Sequence, residues 1–483
     1  MIATKPGDRS FFGHPRGLAT LFLTELWERF SYYGMRGLLI LFMAAPASRG
    51  GMGFPLVEAG AIYGLYTGMV YLVCLPGGWV ADRILGARRA VLIGGIVIAS
   101  GHFCLALPAV PTFFLGLALI VIGTGLLKPN ISAMVGELYE GNDPRRDAGF
   151  SIFYIGINLG AFIAPLACSY LGERVNWHYG FGLAGIGMAA GVIQYVAGQK
   201  NLGNAGLAPA PSAADKTHFT RYGIGAVLLI VVLGVLASQG ILSIQTLSSG
   251  FGFILTVTVV AVFAGLLIFG KWTPVERGRL IMIIILFTAA ALFWSVYEQA
   301  GSTLNLFAER NTDRSLPGMS QPFPAGWFQS LPPLYVIAIA PLFAFLWVKL
   351  GARNPAAPAK FAIGLLFAGV SLIVLVPIAN RTGVSPGWLA LTYLLQTVGE
   401  LCLSPVGLSA MTKLAPQRIV GLVLGIWFVA LSIGDYISGR LASVYEKFPL
   451  PQLFGYVGIS ALVLGALMFF FLRPMRKLMA GVK

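Results

Sequence analysis

Glu25, Glu28, Arg29, Tyr32, Tyr33 and Arg36 lie within twelve residues of one another, inside the first apolar stretch of the chain. Side chains of these types, held together, could take up and release a proton, bind a carboxylate or close an ion pair. At about 100° per residue, Glu25, Arg29, Tyr32 and Arg36 share one narrow stripe of a helix, with Glu28 and Tyr33 on its borders. Ionisable groups at membrane depth are costly and face a cavity or a partner. Two acids, two bases and two tyrosines exceed what locking a helix bundle requires.

Further charges sit in later apolar stretches. Lys128 precedes Pro129 and Asn130, Glu298 follows Trp294 and Tyr297, and Glu400 follows Gly399, with Ser404 and Pro405 one turn on. A site carrying both signs suits a zwitterionic solute, and carboxylates withdrawn from water are suited to carrying protons. Asp435 and Arg440 read as structural. His14, His102, His178 and His218 lie at the termini, in loops or on an apolar helix without a charged neighbour, so a histidine relay is not expected. The four cysteines, Cys74, Cys104, Cys168 and Cys402, have neither disulfide nor metal spacing and read as packing residues. No cofactor or metal is implied.

The elements that must position these residues follow from composition. Of 483 residues, 57% are hydrophobic and only 11% charged, with a mean hydropathy of +0.81; soluble domains carry roughly a quarter charged residues. A soluble globular protein is excluded. Apolar runs near bilayer length predict an all-α polytopic membrane protein with helices near 17–45, 57–82, 89–108, 112–138, 148–170 and 178–198. After a polar linker come two more near 221–240 and 251–270. Six others follow near 279–308, 327–349, 360–379, 386–412, 419–443 and 454–472, fourteen in all. The expected organisation is an N-terminal six-helix bundle (1–200), a linker with two additional helices (201–278) and a C-terminal six-helix bundle (279–483). The two additional helices carry no charge between Gly223 and Gly270 and read as lipid-facing accessories.

This topology places 23 of the 33 basic residues on one side, six on the other and four at membrane depth. Basic residues stay cytoplasmic, so both termini are expected in the cytoplasm, and the net charge of +15 reflects orientation rather than nucleic-acid binding. The segment before residue 17 runs into a helix too long and too charged for a cleavable signal. Short matches recur in order between the halves: Leu85 to Arg88 with Leu350 to Arg353, Gly123 and Pro129 with Gly399 and Pro405, Asn158 and Gly160 with Ser432 and Gly434. Two similar halves are the architecture of a secondary transporter. A membrane enzyme is the different-class rival, but no HExxH, Ser/His/Asp set or phosphate loop occurs. A channel would need a continuous polar pore, whereas these charges cluster at one depth.

The motifs carry a resemblance. Glu25, Glu28, Arg29, Phe30, Tyr32, Tyr33 and Gly34 resemble the first-helix signature of the proton-coupled oligopeptide transporters of the major facilitator superfamily, bacterial type. Phe153, Tyr154, Ile157, Asn158 and Gly160 resemble that family's fifth-helix signature, and Gly78, Asp82, Arg83, Gly86, Arg88 and Arg89 resemble the superfamily's loop between helices two and three. The resemblance implies the major facilitator fold and import of di- and tripeptides with protons, by alternating access, in the cell (inner) membrane. The alternative is a carrier of another small solute, nitrate or drug-like, on the same fold. It further implies proton coupling by Glu25, Glu28 and Arg29 with Lys128. The peptide carboxylate is expected near Arg29 and Lys128 and its amino group near Glu400 and Asn158. Tyr32, Tyr33, Tyr71, Trp294 and Trp427 match side-chain pockets, Ser404 joins the substrate set, and Arg36 with Glu298 matches an outer gate. The protein is expected as a monomer whose partners are peptide, protons and the lipid bilayer. One departure stands out: where the family commonly has an asparagine at the start of helix eight, this chain has Pro332, which offers neither a side-chain amide nor a backbone donor.

Overall fold

A computed structural model of the protein describes residues 10–139, 143–207 and 243–482, with scattered positions between 217 and 240. Among these residues the fold is helical, with two isolated bridges, Phe11 to His14 and Thr312 to Val384, and no strand. Twelve segments are long and apolar enough to cross a membrane. The first helix, α1 (Arg16–Ala44), has 29 residues and adds a thirteenth of spanning length; its own acids and bases keep it from qualifying by apolarity. The helix expected near 221–240 lies outside the described residues. Contacts divide the chain into two compact units, Met1–Phe42 with Met69–Thr246, and Met43–Gly68 with Leu247–Lys483.

In the first unit, α1 is followed by α2 (Leu56–Leu72), whose last turn belongs here, then α3 (Cys74–Val80), α4 (Ala87–Leu105), α5 (Val110–Glu137), α6 (Arg146–Arg174) and α7 (Trp177–Gly198). Small residues bring backbones together where lipid supplies no hydrophobic drive. Helices α4 and α5 cross at two such places: a Cβ on Gly94 or Gly123, or on Gly101 or Gly116, would strike the facing backbone. Gly160 of α6 meets the Leu26 carbonyl and the Arg29 Cβ, while Gly187 and Gly191 of α7 receive Phe30 and Trp27. These contacts fix the rotation of α1, and hence where its charges point.

Polar latches close one end of this unit. The Arg88 guanidinium donates to the Gly203 carbonyl and, at 2.6 Å, to that of Ala205, while Gly206 N–H donates to Glu137 at 2.7 Å. Arg145 pairs with Asp143 at 2.7 Å and donates to the Gly13 carbonyl at 3.1 Å, and His14 Nδ1 meets the Tyr139 hydroxyl at 2.9 Å.

The second unit contains most of α2 and the helices α8 (Ile244–Phe269), α9 (Pro274–Tyr297), α10 (Thr303–Arg310), α11 (Leu331–Leu350), α12 (Ala357–Ile373), α13 (Pro386–Leu414), α14 (Val420–Ser443), α15 (Leu450–Phe470) and α16 (Leu472–Leu478). Gly60 and Gly64 of α2 press on Gly439 and Ser443 of α14, and Ser432 Oγ donates to the Gly68 carbonyl at 2.7 Å. On α8, Phe253 and Ile254 are exposed while Phe263 packs edge-on to Phe287, the pattern of a helix with one face left to lipid.

Two helices expected as continuous are interrupted. The segment read as 279–308 is α9 and α10 joined by a 3-10 turn, Glu298–Gly301, with Ser302 outside helical geometry at φ −125°, ψ −100°. Ser302 Oγ meets Ser438 Oγ at 2.6 Å, and Ser438 Oγ donates to the Glu298 carbonyl at 2.9 Å. The side chains of α14 thus satisfy backbone that the break leaves open. The segment read as 57–82 breaks between α2 and α3 and ends in a π-helical turn, Ala81–Leu85. Pro332 falls in the first turn of α11, where a missing N–H is no loss.

Candidate functional site

The charged residues of α1 are buried: Glu25, Glu28 and Arg29 are each at most 2% exposed, and Tyr32 and Arg36 are also buried. Arg29 Nε donates to one oxygen of Glu28 and Nη2 donates to the other at 2.5 Å. Glu25 meets the same guanidinium at 3.5 Å. The strongest partner is therefore the border residue Glu28 and not Glu25 on the stripe. The long guanidinium folds back along the helix to reach a neighbour that would otherwise point aside. The second oxygen of Glu25 has no hydrogen-bond partner among the described residues.

Aromatic rings surround the cation. Arg29 lies 5.1 Å from the Tyr32 centroid and 5.8 Å from that of Tyr33, and Arg36 lies 5.8 Å from Tyr33 on the other side. The two rings stand edge-on at 5.3 Å. On α5, the Lys128 ammonium sits 3.8 Å from the centroid of Tyr71, within electrostatic reach of Glu25, Glu28 and Arg29. Such cation–π contacts stabilise a desolvated cation by roughly 2 kcal/mol. Asn158 of α6, also buried, donates its amide to the Tyr154 carbonyl at 2.9 Å. The first unit thus gathers Glu25, Glu28, Arg29, Tyr32, Tyr33 and Lys128 with Tyr71 into one group. Asn158 is turned toward its own helix.

The second unit holds the other members. Glu400, buried near the middle of α13, receives a hydrogen bond from the Tyr297 side chain and interacts electrostatically with Glu298. One Glu400 oxygen has no hydrogen-bond partner among the described residues. Trp294 is buried one turn before Glu298, its Nε1 likewise without a partner there. Trp427 of α14 lies against Gly407, where any Cβ would collide with the indole. Ser404 is half-buried one turn after Glu400.

Sequence reasoning assigned no role to Tyr297, Gln396 or Gln329. Gln396 precedes Glu400 by one helical turn and so shares its face; it is buried with neither amide atom partnered among the described residues. The i to i+4 spacing was the available signal. Gln329, three residues before Pro332, is buried with its Nε2 unpartnered, so an amide stands at this end of α11 although Pro332 carries none. Chemically, the first unit presents cations with adjacent carboxylates, and the second a carboxylate among amides and indoles. Among the described residues no cluster of metal ligands occurs.

Comparison with known proteins bears on the class. The sequence profile of the POT family matches residues 88–456. The transporter YclF of Bacillus subtilis, described as uncharacterized, is 42% identical over 480 residues, covering 98% of this chain and 97% of the relative. The peptide transporter YePEPT of Yersinia enterocolitica subsp. palearctica is 42% identical over 500 residues, with 98% and 97% covered. A solved peptide transporter POT in complex with sulfate matches with a TM-score of 0.93 at 44% identity, covering 99% of this chain and 98% of that one. A POT family transporter in complex with a thioalcohol conjugated peptide matches with a TM-score of 0.91 at 38% identity, covering 98% and 99%.

Proposed function

This chain belongs to the POT family, and from that membership we propose that it is a symporter importing di- and tripeptides with protons, by alternating access, across the inner membrane. The observation that carries this reading is the group formed by buried Glu25, Glu28 and Arg29 with half-buried Lys128, whose charges have no use in a lipid-facing bundle.

In this reading Glu25 and Glu28 carry the proton, and its arrival changes how firmly Arg29 is held. When one of the two carboxylates is protonated, Arg29 and Lys128 turn to the peptide carboxylate, which replaces the one negative charge that the proton removed, so the charge around the two cations is unchanged. Tyr32, Tyr33 and Tyr71 keep both cations in place during the exchange. Glu400 takes the peptide ammonium, with Asn158 and Ser404 adding polar contacts and Trp294 and Trp427 apolar walls. Arg36 and Glu298 serve the outer gate. Both termini are cytoplasmic, as the distribution of basic residues requires, and the transporter acts as a monomer of two six-helix halves with two accessory helices.

Uptake of a labelled dipeptide into proteoliposomes, with and without an inward proton gradient, tests the reading. Concentrative uptake that appears only with the gradient is expected. Uptake indifferent to both the gradient and competing dipeptides would point instead to another solute.

A further inference from the structure

The stretches 314–399, 401–434 and 447–483 contain no aspartate or glutamate. Four of their basic residues converge on one cavity of about 930 Å³ within the second unit, lined by Arg353, Lys360, Lys413 and Arg476 with Asn354 and Ser409. Arg353 comes from the 3-10 turn Gly351–Arg353, Lys360 from the first turn of α12, Lys413 from the last turn of α13 and Arg476 from α16. Among the described residues no aspartate or glutamate lines the space.

Several like charges around one enclosure repel, and an arrangement of this kind is stable where an anion lowers the local potential. Lys360 shows how far the basic character extends inward: it is 7% exposed, with its ammonium 4.2 Å from the Trp347 ring centroid. Ala356 and Ala357, at the start of α12, also line the cavity, and Ala356 has no side chain to cap the helix. The positive end of that helix adds to the field.

We propose that this cavity binds a phosphate-type anion. Its position favours the headgroup of an anionic phospholipid over a soluble phosphate. It opens where apolar surface ends, since Val348, just before the Gly351–Arg353 turn, and Phe470, just before α16, are 81% and 80% exposed. Basic pockets between helix ends at the membrane surface are suited to such headgroups. None of the carboxylates and cations assigned to peptide and proton lines this cavity.

The test measures the melting temperature of the purified full chain in neutral detergent against added phosphatidylglycerol, phosphatidylcholine, or inorganic phosphate at matched ionic strength. One variant removes two lining cations, Arg353→Gln with Arg476→Gln. A control, Arg473→Gln with Lys477→Gln, removes two charges from the same C-terminal region that do not line the cavity. All four side chains are exposed, so neither variant should melt below the parent without ligand, and the cavity variant, relieved of like-charge repulsion, should melt at or slightly above it. Phosphatidylglycerol should stabilise the parent, phosphatidylcholine should not, and the half-saturating concentration should rise about thirty-fold in the cavity variant while changing little in the control. Stabilisation by inorganic phosphate alone, lost in the same variant, would keep the anion site and assign it a soluble occupant. No response to either anion, or equal losses in both variants, would overturn the proposal.

Discussion

Arg29 is gripped by both carboxylate oxygens of Glu28, its immediate neighbour in sequence, while Glu25, one turn earlier, meets the same guanidinium only at 3.5 Å. The two acids are therefore unequal. Glu28 holds the cation, and Glu25 keeps an oxygen without a partner among the described residues.

That asymmetry predicts different phenotypes. Glu25→Gln and Glu28→Gln should each reduce uphill uptake about ten-fold or more while sparing peptide exchange, which needs no net proton movement. Only Glu28→Gln should also lower stability, by about 1–3 kcal/mol, because it removes the charge that pairs with buried Arg29. Counterflow, gradient-driven uptake and melting of both variants provide the check. Wild-type concentration of peptide by both would remove them from proton coupling.

Glu400→Gln should weaken competition by free-amine dipeptides about ten-fold to a hundred-fold, the range of one charge-assisted contact. N-acetylated dipeptides should bind poorly to the parent and lose little more. Equal losses for both ligands would move Glu400 from recognition of the amino terminus to gating or packing.

Gly439→Val should destabilise the second unit by about 1–3 kcal/mol, because the added methyls would enter the backbone of Gly64 where α2 crosses α14. Gly421→Val on the same helix, where nothing lies close to an added Cβ, is the matched control and should melt close to the parent. Indistinguishable melting of the two variants would show that the crossing yields without cost.

Hydrogen bonds from Arg145, first from its side chain and then from its backbone, hold the Asp143 carboxyl below the usual carboxylate range. A depressed carboxylate contributes stability above its unfolded pKa of about 3.9 and loses it as pH falls through the lower folded value. Asp143→Asn should therefore loosen the loop around residue 145 at neutral pH and make progressively less difference below about pH 4. Limited proteolysis at Arg145 and Arg146 across pH, with an acid-tolerant protease at the low end, follows this. A difference that grew toward acid would reverse the assignment.

Much of this was legible because lipid makes burial and hydropathy nearly the same thing. Runs of about twenty apolar residues locate the helices, and charges inside them, such as Glu25, Lys128 and Glu400, stand out. The break after Glu298 was not legible, since residues 298–302 can continue a helix. What interrupts it there is accompanied by Ser438, 136 residues away from Ser302. The choice of Glu28 over Glu25 depends on the reach of one guanidinium, which a helical projection does not resolve. Gln396 is uncharged, and only its burial, with no hydrogen-bond partner among the described residues, sets it apart.

The membership of residues 43–68 in the second unit carries a consequence for biosynthesis. Gly68 accepts its hydrogen bond from Ser432, 364 residues further along. At about 5–20 residues per second, ribosomes leave this part of α2 in the membrane for roughly 20–70 s before its partner emerges. During that interval the glycine face of α2 has no α14 to close on, and a chaperone, an insertase or a neighbouring nascent chain could occupy it. Ribosome stalling after residue 410 would lengthen exactly that exposure, so the vulnerable stage in making this transporter comes late, with most helices already in the bilayer.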